Sequence, residues 1–194
     1  MRKKKIKIQE KTIVNLGRCS QEALDSFGSL EVVKVNGDLG LWKHTGIKKL
    51  PDDLMVAGYL SLRGCTGLTK LPKDLKVGRH LDLYGCTGIT KLPDDLMVNG
   101  DLALNHCIRL TGLPDGLKVN GYLSLYDCKG ITKLPDGLKV NGDLDLYDCK
   151  GITKLPDDLN VDGVIWYNSY TGFYDHEHEP GVIPERLKHK LRMV

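Results

Sequence analysis

Long apolar runs are missing from this 194-residue sequence. No stretch approaches the roughly 18 consecutive apolar residues that a membrane-crossing helix needs, so no membrane span is expected. Aromatic residues are scarce, at 6% with two phenylalanines, so Leu, Ile and Val must do most of the core packing. Neither sign of charge dominates. Lys and Arg number 28 against 25 Asp and Glu, and the net +3 is too mild to argue for nucleic acid. The basic start MRKKKIK lacks the apolar stretch of a secretory leader, which makes a cytoplasmic chain the expectation. Six cysteines are present, but no Cys-x-x-Cys pair, so local zinc ligation is not indicated. The sequence calls for no metal and no cofactor.

What the chain has instead is a period. Residues 131–151 read ITKLPDGLKVNGDLDLYDCKG, and the same pattern starts at Ile47, Leu68, Ile89, Leu110, Ile131 and Ile152, every 21 residues. A fixed period in this range is the signature of a solenoid. Each unit offers an inward set such as Ile131, Leu134, Leu138, Val140, Leu144, Leu146 and Cys149. A lone coil leaves both apolar edges uncovered and cannot offset the entropy of ordering its backbone. Stacked coils cover one another and share backbone hydrogen bonds, so the array is stable only as a whole. Residues 35–46 keep Val35, Gly37, Leu39 and Leu41 in register and form a seventh, degenerate coil, with His44 where other units carry Cys.

Within a unit, Val-x-Gly-x-Leu-x-Leu alternates with period two and predicts one short strand, Leu inward, pairing in parallel with its neighbours. The Leu-Pro-Asp half returns in extended or tightly turned backbone, because proline bars a regular helix interior. The steps Asp115-Gly116 and Asp136-Gly137 suit a tight turn. Cys65, Cys86, Cys107, Cys128 and Cys149 share one unit position and predict a buried file of free thiols. The domain reading is an N-terminal cap with a basic arm over 1–34, the array over 35–172 and a C-terminal cap over 173–194. In the first cap, residues 3–14 read as a strand or arm, and Ser20 opens a short helix. In the last, Tyr170, Phe173 and Tyr174 fold over the end. Residues 184–193 form a short helix docked by Leu187 and Leu191, four apart.

The segment Leu144, Leu146, Cys149, Ile152, Thr153 resembles the cysteine-containing leucine-rich repeat, and Leu-Pro-x-x-Leu-x-Val is similar to the returning half of bacterial leucine-rich repeats. The resemblance covers residues 35–172. It implies a mostly β, right-handed solenoid of about seven coils, with a parallel sheet on the concave face and helix only in the caps. It also implies recognition of a protein partner through that face. The near identity of 110–130 and 131–151 points to internal duplication in a bacterial or bacteriophage style, with a host factor as a possible target. Three places depart from the pattern. Arg79 replaces the unit glycine, with Gly78 just before it, which predicts a shifted turn. His106, Ile108 and Arg109 disturb the third unit. Ile165, Tyr167 and Tyr170 stand for Leu, Leu and Cys in the last.

The outward strand positions form columns that combine tyrosine, tryptophan and aspartate. Candidate partner-binding residues are Trp42, Tyr59, Arg63, His80, Asp82, Tyr84, Asp101, Asn105, Tyr122, Tyr126, Asp127, Asp143, Asp145, Tyr147, Asp148 and Trp166. Tyr and Trp give contact area at low entropic cost, and the aspartates favour a basic partner. β-propensity alone also places tyrosines on strands. On the returning side, Lys49, Lys70, Lys91, Lys133 and Lys154 run beside Asp52, Asp94, Asp115, Asp136 and Asp157, a pattern that suits solubility better than binding. His80 by Asp101 and His106 by Asp127 lie on a face shared with Ser61 and Ser124. An open sheet builds no oxyanion pocket, so catalysis is not expected. Asp175-His176-Glu177-His178-Glu179 has metal-ligand residue types but no distant partner, and reads as a solvated loop. The function expected is non-catalytic binding of an unidentified protein by a monomer or weak homo-oligomer. Small-ligand or carbohydrate binding on the same face is the alternative, as is an anionic surface or nucleic acid held by the basic N-terminus.

Overall fold

The computed structural model describes residues 14–15, 34–176, 179, 181–194. The arm over 3–13, the helix opened by Ser20, and Cys19, Glu177 and His178 lie outside the described residues. From Lys34 onward the chain is a mostly β, parallel solenoid. Each unit adds one short strand to each of two sheets. Lys34–Val35, Met55–Val56, Lys76–Val77, Met97–Val98, Lys118–Val119, Lys139–Val140 and Asn160–Val161 form a seven-stranded sheet. Leu39–Gly40, Leu60–Ser61, Leu81–Asp82, Leu102–Ala103, Leu123–Ser124, Leu144–Asp145 and Ile165–Tyr167 form the other, flanked by Val14–Asn15 and Leu191–Met193 to make nine strands. All pairs are parallel. Leu123 faces Leu102 on one side and Leu144 on the other, so the register equals the sequence period.

The single strand expected over Val-x-Gly-x-Leu-x-Leu is broken in two by a corner at the glycine. The physical reason is the close approach of successive coils there. A Cβ on Gly121 would lie 2.1 Å from Asp101 Oδ1 and 3.0 Å from Asp101 N. In the second unit the glycine sits one place earlier, and the close approach moves with it: a Cβ on Gly78 would meet the Ala57 carbonyl at 2.1 Å. The turn expected to shift at Arg79 keeps its register on both sides, with Val77 opposite Val56 and Leu81 opposite Leu60. On the return, the N–H of Leu117 donates to the Pro114 carbonyl at 3.3 Å and Gly116 takes φ 66°, the tight turn that the Pro-Asp-Gly step predicts.

The core is a file of side chains between the sheets. Leu144, Leu146, Cys149 and Ile152 are fully buried, as are Leu123, Leu125, Cys128 and Ile131 in the preceding unit. The five thiols are free and buried. From Leu62 to Leu146, the Leu carbonyl at each strand exit takes two donors. Leu62 accepts the Cys65 N–H at 2.9 Å and the Cys86 thiol at 3.0 Å; Leu104 accepts the Cys107 N–H at 3.0 Å and the Cys128 thiol at 2.9 Å. In the last coil Thr171, not Tyr170, takes the cysteine's place: its hydroxyl donates to the Leu146 carbonyl at 3.0 Å. Tyr170 points outward, 60% exposed, with Lys150 Nζ 5.1 Å from its ring centroid. Phe173 covers the end of the core, its ring centroid 5.4 Å from that of Tyr167.

The C-terminal cap differs from a helix docked by two leucines. Glu185–Lys190 is a short 3-10 turn that buries Leu187. Leu191 instead begins a strand, with Leu191 opposite Ile165 and Met193 opposite Tyr167. An added strand meets the open backbone groups of the last coil, which a helix packed end-on leaves bare.

Candidate binding face

All sixteen candidate residues carry their side chains outward along the nine-stranded sheet and the turn that follows it, half-buried or exposed. The first column braces the coils. Asp38 Oδ1 accepts the Tyr59 N–H at 2.7 Å, Asp101 Oδ1 that of Tyr122 at 2.8 Å, and Asp143 Oδ1 that of Val164 at 2.8 Å. His80 does the same for Asp101, its Nδ1 accepting the N–H at 2.9 Å. An Nδ1 that accepts is unprotonated, so the 3.1 Å contact with Asp101 Oδ2 is not an ion pair in that tautomer. Three candidates, His80, Asp101 and Asp143, thus hold the frame with at least one polar atom.

The second column ties rings to carboxylates. The Tyr59 hydroxyl donates to Asp82 Oδ2 at 2.9 Å, while Asp82 Oδ1 accepts the Tyr84 N–H at 2.9 Å. The Tyr122 hydroxyl donates to Asp145 Oδ2 at 2.9 Å, joined there by the Ser124 hydroxyl at 3.1 Å, and Asp145 Oδ1 accepts the Tyr147 N–H at 2.9 Å. Burial, with Asp145 beside it, pushes the Tyr122 phenol up to about 12. Trp166 Nε1 donates to Asp143 Oδ2 at 3.2 Å.

The third column is a stack. The Arg63 guanidinium lies 3.8 Å from the Tyr84 ring centroid. His106 follows, 5.0 Å from both Tyr84 and Tyr126, and Tyr126 meets Tyr147 at 5.4 Å. By register Asn105 belongs to this column and His106 only flanks it, one residue late. A left-handed backbone, φ 58°, carries its ring into the line that Asn105 leaves open. Asp127 and Asp148 share that conformation, a place where Asp and His are better tolerated than branched residues. Asp127 Oδ2 contacts His106 Nδ1 at 3.0 Å, and Asp127 Oδ1 accepts from Lys129 at 3.0 Å. Burial pushes its carboxyl upward, but Lys129 and His106 outweigh that and hold it below the usual range. Asp148 Oδ1 accepts from Asn168 Nδ2 at 2.7 Å. Trp42 stands apart from the stack, beside Lys43.

Where the columns meet Trp166, the face forms an open depression of about 460 Å³ lined by Tyr122, Tyr126, Asp145, Tyr147, Trp166 and Val194. A smaller hollow of about 270 Å³ crosses the seven-stranded sheet between Lys34, Met55, Lys76 and Met97. The second is not legible in the sequence, where period-two alternation gives one strand per unit instead of the two that the sheets contain. Ser61 and Ser124 are buried at 7% and 1%. Among the described residues, no three His, Cys, Asp or Glu side chains converge as metal ligands, and none of the helices is long and apolar enough to cross a membrane. No protein-family model, curated protein or solved structure matches this chain.

Proposed function

We propose that this chain is a non-catalytic module of the leucine-rich-repeat type that binds a protein partner through the Tyr/Asp/Trp face of its nine-stranded sheet. The observation that carries this reading is the depression walled by Tyr122, Tyr126, Tyr147 and Trp166 with Asp145 among them. Its rings are held by neighbouring rings and hydrogen bonds, so little rotamer freedom is left to lose on binding. The surrounding carboxylates favour a partner with a basic surface. Parallel coils hold these side chains on a rigid frame, as an interface built from many units requires.

The test is quantitative affinity capture with the wild-type chain and a Tyr126→Ala/Tyr147→Ala variant. Both side chains are half-buried at the surface rather than in the core, so the variant's melting temperature is expected within a few degrees of wild type. The expected result is a specific partner retained by the wild type and lost by the variant. A partner retained equally by both places the interface elsewhere.

A further inference from the structure

The face repeats one arrangement three units apart. Tyr59, Ser61, Arg63, Asp82 and Tyr84 correspond in register to Tyr122, Ser124, Tyr126, Asp145 and Tyr147. In both, the tyrosine hydroxyl donates to the aspartate at 2.9 Å, and the aspartate accepts the N–H of the second tyrosine at 2.9 Å. One position differs in kind. In the first copy Arg63 lays its guanidinium over Tyr84, 3.8 Å from the ring centroid. In the second that position is Tyr126, and among the described residues no cation is stacked on Tyr147. Trp166 adds a second wall there, and the depression opens between the rings. Arg192, opposite Trp166 in the adjoining strand, turns its guanidinium back to the carbonyls of His189 and Leu191 at 3.0 and 2.7 Å and is not part of the lining.

Building on the binding-face reading above, we propose that this depression receives the guanidinium of an arginine presented by the partner polypeptide, stacked on Tyr147 and Trp166 and neutralised by Asp145. The molecule already shows the contact within itself at Arg63 and Tyr84. A carboxylate offers about four acceptor sites. Asp145 fills three with Tyr147 N–H and the Tyr122 and Ser124 hydroxyls, leaving one for an incoming N–H. A planar, weakly hydrated guanidinium suits two ring walls better than an ammonium does.

Trp166 fluorescence in a Trp42→Phe background reports on this site. The probes are capped pentapeptides identical except for a central arginine, lysine or citrulline. The arginine peptide is expected to bind about tenfold more tightly than the citrulline peptide, and Asp145→Asn to remove most of that preference. Tyr126→Arg supplies the chain's own guanidinium to Tyr147, as Arg63 does to Tyr84. That variant is expected to keep the wild-type melting temperature and lose the arginine peptide. Equal binding of arginine and citrulline overturns the proposal, as does undiminished arginine binding by a folded Tyr126→Arg variant. If the peptides fail to discriminate while Tyr126→Ala/Tyr147→Ala still loses its captured partner, this inference falls and the binding-face reading stands. Capture unchanged in that double variant sinks both.

Discussion

The thiol file makes the fold sensitive to alkali. Cys65, Cys86, Cys107, Cys128 and Cys149 are fully buried, and each donates its thiol proton to a leucine carbonyl one coil back. Burial pushes Cys65 up to about 11 and Cys107 and Cys149 to about 12, from an ordinary value of 9.0. Cys86 and Cys128 are also raised by burial, reinforced by the thiols stacked next to them. A raised folded value means the unfolded chain gives up its protons first. The stability these thiols contribute is therefore complete below about pH 9 and is lost as pH rises toward their folded values. One pH unit above the ordinary value, each thiol costs about 1.4 kcal/mol, and five cost roughly 7 kcal/mol. That is comparable with the whole stability of a marginal domain. Urea unfolding followed by circular dichroism at constant ionic strength is expected to show stability falling steeply from about pH 9 to pH 10. Cys128→Val is expected to reduce that slope by one thiol's share, whatever it does at neutral pH. Stability that stays flat over this interval, or thiolate absorbance that rises before the circular dichroism changes, refutes the reasoning.

Smaller perturbations address other joints. Thr171→Val removes the hydroxyl that closes the thiol file on Leu146 and also meets Asn168, so chemical denaturation is expected to show a loss of about 1–3 kcal/mol, with Thr171→Ser close to wild type. Gly121→Ala drives a Cβ to 2.1 Å from Asp101 Oδ1 and is expected to cost at least about 1–3 kcal/mol. Gly85→Asp enters open space but at φ +68°, a left-handed backbone that Asp127 and Asp148 also hold, and is expected to cost about 1 kcal/mol, less than Gly121→Ala. Leu187→Ala, at a fully buried cap position, is expected to cost about 2–4 kcal/mol in the same assay.

The period alone determined much of this protein. Coils of equal length with Leu, Val, Ile and Cys at fixed positions have one economical arrangement, in which every apolar set faces its copy in the next coil. The parallel register and the burial of the thiols follow from that. So does the outward placement of the tyrosines and aspartates. What the period does not carry is any contact that depends on how closely two coils approach. The corner that splits each strand arises because the glycine of one coil lies against the carboxylate or backbone of another. Thr171 displaces Tyr170 from the thiol file because the last coil has no successor to hold it to the common spacing. His106 joins the ring stack through a left-handed backbone that moves its side chain by one register position. The depression beside Trp166 exists because three coils and the C-terminal strand meet there. Repetition in sequence fixes which residues are neighbours, whereas distances between side chains that are not repeated are set only when the coils are packed.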